Sequence, residues 1–147
     1  MKYLNKIELV ITLCFFMMPV AFFAQDRVLQ STEIPSEIHT YVKKHFPKHT
    51  ITRAEVDTEM MKKEYEIELN DGTDLEFDSK FQIKKIDSRT ALPASVVPVA
   101  LMQYAKKHYP NNTITGWETE RKQQKIELNN DVELIFNTKG KFIRIDD

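Results

Sequence analysis

The chain has 147 residues, and its charges nearly cancel, with 21 Lys plus Arg against 22 Asp plus Glu. That balance gives no reason to expect a nucleic-acid partner or an anionic membrane surface. The single cysteine, Cys14, lies in an apolar N-terminal stretch, so the rest of the chain has no disulfide, no cysteine-ligated metal and no thiol nucleophile.

Met1 to Ala24 reads as a signal peptide. Lys2 and Lys6 supply positive charge, Ile7 to Phe23 is apolar apart from Glu8 and Thr12, and small Ala24 precedes the polar Gln25-Asp26. Pro19 and the shortness of the apolar run favour cleavage over a membrane anchor. Leu13 stands where a lipoprotein signal needs a small residue. About 123 residues then remain as one domain, residues 25–147. The expected address is the periplasm or the extracellular space, with no stable membrane insertion once the leader is removed.

Gln25 to Gln30 is polar and expected to be loose. From Ser31 to Pro47, Ile34, Ile38, Tyr41, Val42 and Phe46 form one apolar helical stripe. Ser31 or Thr32 is the candidate cap, which leaves Pro35 in the first turn. Two alternating strands follow a weakly patterned one at Thr50 to Asp57. Tyr65, Ile67 and Leu69 oppose Glu64, Glu66 and Glu68; after the Asn70-Asp71-Gly72 turn, Thr73, Leu75 and Phe77 oppose Asp74, Glu76 and Asp78. The fourth strand, near Gln82 to Asp87, does not alternate cleanly. Either a bulge or coverage of both faces accounts for that.

The same series then repeats. A helix from Ala91 to Pro110 has Ser95 as candidate cap, and Val96, Val99, Ala100 and Met102 broaden its apolar side, as for burial on two sides. Tyr41 and Lys43-Lys44-His45 recur as Tyr104 and Lys106-Lys107-His108, a shift of 63 residues. The strand Thr113 to Glu120 follows. Asn70 to Asp87 then recurs as Asn129 to Asp146 without a gap, a shift of 59. The four-residue difference lies in the first hairpin, whose longer tip in repeat one carries Met60 and Met61, and a loop is the expected place for it. Phe81 stands where repeat two has Gly140, so it requires a different turn or a strained one. The predicted fold is α+β, two tandem repeats of a helix plus a four-stranded antiparallel sheet, at about residues 29–87 and 92–146. Both helices lie on one face of the sheet.

The motifs Tyr65-x-Ile67-x-Leu69, Asp71-Gly72, Phe77-Asp78 and Lys80, with Ile126, Leu128, Phe136-Asn137 and Lys139-Gly140, resemble the PepSY-like family of beta-lactamase-inhibitor-like proteins. Members are small secreted or periplasmic proteins of Bacteroides-type bacteria. The resemblance covers about Leu29 to Asp146 and implies the same tandem fold. It brings no catalytic residues with it.

The residues give little chemistry of their own. No catalytic, cofactor-binding or metal-binding residue is assigned. His45 and His108 occupy equivalent helix ends, where a cation is favourable. Asp71, Asp74 and Asp78 lack the ligand spacing of a calcium loop, and Ser79, Ser88 and Ser95 lack a nucleophile-elbow context. The candidate protein contacts are Trp117, Ile135, Met60 and Met61. Trp117 with Ile135 forms an apolar spot if that face of the sheet is open; otherwise Trp117 packs beneath the second helix. The function expected is a non-enzymatic binding module for a protein or envelope polymer, inhibitor-like in one version. The alternative is a small-ligand-binding or purely structural envelope protein.

Overall fold

The computed structural model describes residues 27–59 and 62–146. The signal-peptide reading and the Met60-Met61 tip lie outside them.

Among the described residues nine strands form one antiparallel sheet in which sheet order is chain order. The strands are β1 (Arg27–Val28), β2 (Ile51–Glu59), β3 (Lys62–Leu69), β4 (Asp74–Phe77), β5 (Ile83–Asp87), β6 (Ile114–Thr119), β7 (Gln123–Leu128), β8 (Glu133–Asn137) and β9 (Phe142–Asp146). Helix α1 (Ser36–His45) precedes β2, and α2 (Val99–His108) precedes β6. The two repeats thus join edge to edge through β5 and β6.

The helices match residue for residue at the shift of 63, and each starts after a proline, Pro35 or Pro98. The expected serine and threonine caps are not used. Ser31–Glu33 forms a separate 3-10 turn, closed by a reciprocal box between Gln30 and Glu33. Ser95 instead lies 3.0 Å from His45 Nδ1. A proline has no N–H to satisfy and its φ is already helical, so it can open a helix unaided.

One side of the sheet faces the helices. Ala54, Ile67, Leu75, Ile86, Trp117, Ile126 and Leu134 stand opposite one another across successive strands, and all are buried in one core cluster with Ile38, Val42, Leu101 and Ala105 of the helices. Tyr41 meets Phe77 edge-on at 5.3 Å, and Tyr104 meets Phe136 the same way at 5.3 Å. Each buried Ile, Leu, Val or Phe among them contributes roughly 1.5–3 kcal/mol. Helix α2 is not buried on two sides: Val99 is 62% exposed, because the stripe through Leu101 and Ala105 already covers the sheet.

The fourth strands carry a bulge at the same place in both repeats, between Glu76 and Phe77 and between Ile135 and Phe136 on the facing strand. Phe81 adopts the left-handed turn, with φ 61°, as Gly140 does with φ 78°. The strained option is the one taken; contact with Tyr65, at 5.4 Å between rings, accompanies it. The four extra residues of the first hairpin extend its ladder instead of its loop, adding the rungs Thr58 to Lys63 and Glu59 to Lys62. Arg27 and Val28, expected to be loose, form the short edge strand β1 against Val56 and Glu55.

Candidate functional site: the open face of the sheet

Among the described residues no helix lies over the other side of the sheet, and its register places like charges side by side. One transverse row runs Arg53, Glu68, Asp74, Asp87, Gly116, Glu127, Glu133, Asp146. The next row runs Glu55, Glu66, Glu76, Lys85, Glu118, Lys125, Ile135, Arg144. Together they hold ten carboxylates and four cations, although the whole chain is nearly neutral. The first row alone has six carboxylates, on strands about 4.8 Å apart.

The local sequence explains the register. Asn70-Asp71-Gly72 and Asn129-Asn130-Asp131 make equivalent turns, with φ 78° at Gly72 and 64° at Asp131. These turns set β3 against β4 and β7 against β8, so Glu68 meets Asp74 and Glu127 meets Glu133. Gly116 breaks the row. A Cβ there would lie 3.0 Å from Glu127 Cβ and 3.3 Å from Glu127 Oε2, so glycine leaves the room that the Glu127 side chain takes.

Hollows lie along this face, and two of them adjoin. One, of about 270 Å³, is lined by Arg53, Glu66, Glu68, Asp74, Glu76 and Lys85 among others. The second, of about 210 Å³, is lined by Lys85, Asp87, Gly116, Glu118, Lys125 and Glu127 among others. They share Lys85 and Asp87 and so form one trough.

Crowding shows in the titration of the carboxyls. Partial burial pushes Asp74 up, and the charges of Glu68 and Asp87 add to it. Partial burial likewise raises Glu76, with Glu64 adding, and raises Glu127, with Asp87 and Glu133 adding. Lys125 offsets part of the charge: its Nζ donates to Glu133 Oε1 at 3.0 Å and lies 3.4 Å from Glu118 Oε2. Burial acts to lower the Lys125 ammonium, but these carboxylates hold it above its ordinary value.

The residues singled out in the sequence fall apart in space. Trp117 lies on the helix side and is 8% exposed, opposite Ile86 and Ile126. Ile135 lies on the open side yet is 2% exposed. Its cross-strand neighbours are Lys125 and Arg144, whose aliphatic stems are long enough to cover an apolar residue. The joint apolar spot expected from Trp117 and Ile135 is therefore not formed, because the two residues are on opposite faces. The indole Nε1 of Trp117 is buried with no hydrogen-bond partner in the described structure.

The other polar candidates are engaged in structure. The Asp78 carboxylate accepts from the backbone N–H groups of Lys80 and Gln82, both at 2.9 Å. Asp71 accepts from Thr73 N–H at 3.1 Å and lies 3.4 Å from His49 Nδ1. His45 and His108 each pack on the tyrosine one turn earlier, tilted at 4.5 Å for His45 and stacked at 4.3 Å for His108, and burial lowers His45. Among the described residues no three His, Cys, Asp or Glu side chains converge to hold a metal ion, and no helix is long and apolar enough to cross a membrane. Alternation alone places Glu66, Glu68, Asp74 and Glu76 of repeat one and Lys125, Glu127, Glu133 and Ile135 of repeat two on this face. It does not reach Asp87 and Asp146, which lie on the fourth strands beyond the bulges.

Comparison with known proteins agrees with this architecture. A periplasmic protein of Bacteroides thetaiotaomicron, described as "putative calcium-regulated", is 28% identical and superposes with a TM-score of 0.78, covering 83% of this chain and 97% of its own. A periplasmic protein of Bacteroides vulgatus is 28% identical with a TM-score of 0.79, over 84% of this chain and 98% of its own. Another from Bacteroides vulgatus, of unknown function, is 26% identical with a TM-score of 0.79, over 84% and 100%. No curated protein matches the chain. Two successive segments, residues 24–85 and 84–144, match the family described as "Putative beta-lactamase-inhibitor-like, PepSY-like", and with well over half of its length so matched the chain belongs to that PepSY-like family.

Proposed function

We propose that this protein is a non-enzymatic binding module of the bacterial periplasm, exported by its N-terminal leader, that docks a basic protein surface on the open face of its sheet. The observation that carries this reading is the row of six carboxylates, Glu68, Asp74, Asp87, Glu127, Glu133 and Asp146, interrupted only by Gly116. Like charges this close are unfavourable in the free protein, and cationic side chains laid along the trough relieve the repulsion. In the inhibitor-like version, the basic partner is an enzyme whose active-site rim the face covers. The periplasmic descriptions of the solved relatives support the address.

The test is calorimetric titration with a lysine-rich peptide at several salt concentrations. Binding that weakens with salt, and that weakens further in the Asp74→Asn/Glu127→Gln double variant, supports the reading. Absence of binding at low salt rejects it. A second reading takes Ca²⁺ as the occupant, since one relative is described as "putative calcium-regulated" and the row offers the oxygen ligands that Ca²⁺ prefers. The row spreads its carboxylates over successive strands, and the described residues hold no convergent ligand set, so this reading ranks second. A rise in Tm with millimolar Ca²⁺ but not with a lysine-rich peptide would reverse the order.

A further inference from the structure

The sheet ends at β9 with an edge that has an exact internal counterpart. Arg144, Ile145 and Asp146 repeat Lys85, Ile86 and Asp87 of β5, at the same shift of 59 residues. The inner sides match: Ile86 stands opposite Leu75, and Ile145 opposite Leu134. Both strands follow the same bulge, so their backbones present the same groups outward. The outer sides differ. β6 covers β5, with Glu118 opposite Lys85, Trp117 opposite Ile86 and Gly116 opposite Asp87. Among the described residues no strand covers β9. Ile86 is accordingly 0% exposed, whereas Ile145 is 46% and Ile143 50% exposed.

We propose that β9 is a strand-accepting edge, which takes an extended segment of a partner polypeptide running antiparallel to it. The chain's own β5–β6 joint defines the chemistry of that segment. It carries a large apolar or aromatic side chain opposite Ile145, a carboxylate opposite Arg144 and a small residue opposite Asp146. Main-chain hydrogen bonds supply affinity in such an addition, and alternate side chains supply selectivity. A second copy of the chain does not offer this segment. Its β6 is enclosed between β5 and β7. The equivalent strand, β2, has its edge occupied by β1, with Leu29 N–H donating to Ala54 O at 2.8 Å and the Leu29 side chain buried. This edge adjoins the acidic face at Arg144 and Asp146, but it is read by main-chain pairing along β9, whereas the trough is lined by residues of β2 to β8.

The probe is a fluorescently labelled peptide with the sequence of residues 113–120, TITGWETE. Anisotropy measures binding to the whole protein, and amide NMR shifts locate it. The expected result is saturable binding with the largest shifts at residues 142–146. Ile145→Asp and Arg144→Glu each weaken it about tenfold. A peptide with Lys in place of the first Glu restores binding to the Arg144→Glu variant. Circular dichroism shows that the variants fold, as substitutions at half-exposed edge positions should allow. Absence of binding at millimolar peptide, shifts centred elsewhere, or affinity unchanged by Ile145→Asp each overturns the proposal. So does a concentration-dependent dimer in sedimentation that the Ile145→Asp variant abolishes, since it would assign the edge to a second copy.

Discussion

Ile86 and Trp117 stand opposite one another on the ladder between β5 and β6, both on the helix-covered side of the sheet. Each comes from a different repeat, so their contact lies at the joint that makes two small units one core. A repeat of about 60 residues buries too little surface to be secure alone. Trp117→Ala therefore acts on the whole sheet. The expected loss is about 3–5 kcal/mol, read as a lower midpoint in urea with one cooperative transition. Loss near zero, or two separate transitions, would contradict a shared core.

Two glycines with the same backbone angle differ in their surroundings. Gly72 and Gly140 both have φ 78°. A Cβ on Gly72 meets nothing nearer than Arg89 Nε at 4.0 Å, whereas on Gly140 it lies 2.8 Å from Ala100 Cβ in α2. Gly72→Ala should cost about 1–2 kcal/mol from the left-handed backbone alone. Gly140→Ala should cost about 1–3 kcal/mol more, because α2 must shift. Thermal unfolding of the two variants side by side checks the order.

The turn carboxylate of Asp78 has its counterpart in the Asn137 side chain, which accepts from Lys139 N–H at 2.9 Å and Lys141 N–H at 3.0 Å. One oxygen thus closes each turn, and neutral or charged forms serve alike. Asp78→Ala is expected to destabilise by about 1–2 kcal/mol. Asp78→Asn should retain most of the stability, as measured by denaturant midpoints.

Asp74, Glu76 and Glu127 all have carboxyls raised above their ordinary values by burial and by neighbouring acids. The folded chain then holds these protons more tightly than the unfolded chain does. Their contribution to stability is most favourable below the ordinary carboxylate range and falls as pH rises through the raised values. Exposed Glu33 and Asp146, each held down by a hydrogen-bonded arginine, act in the opposite direction. The difference between wild type and the Asp74→Asn/Glu76→Gln/Glu127→Gln variant isolates the three. The variant should melt higher at pH 7, and the gap should shrink as the pH approaches 4.

Alternation in Tyr65 to Leu69 and Thr73 to Phe77 was enough to assign the buried side of repeat one, because period-two patterning is local. The face of Trp117 was not legible. A register shift between Ile114 and Gly116 breaks the parity by which a face is counted along a strand. The two-residue strand β1 has no period to detect, and its pairing depends on the edge of β2. Glu66, Glu68, Asp74, Glu76, Glu127 and Glu133 of the acidic face could be read from single strands. The row itself could not, because it exists only across seven ladders whose register is set by turns and bulges.

Sheet order equal to chain order has a kinetic consequence. Most strand pairs close over a short turn, whereas the β1–β2 and β5–β6 pairs each span a helix. Zippering of adjacent hairpins therefore meets small loop-closure barriers, which predicts rapid refolding for a β-rich chain. Of the two closures across a helix, the one that brings Ile86 to Trp117 joins the two repeats, and it is the natural candidate for the rate-limiting event.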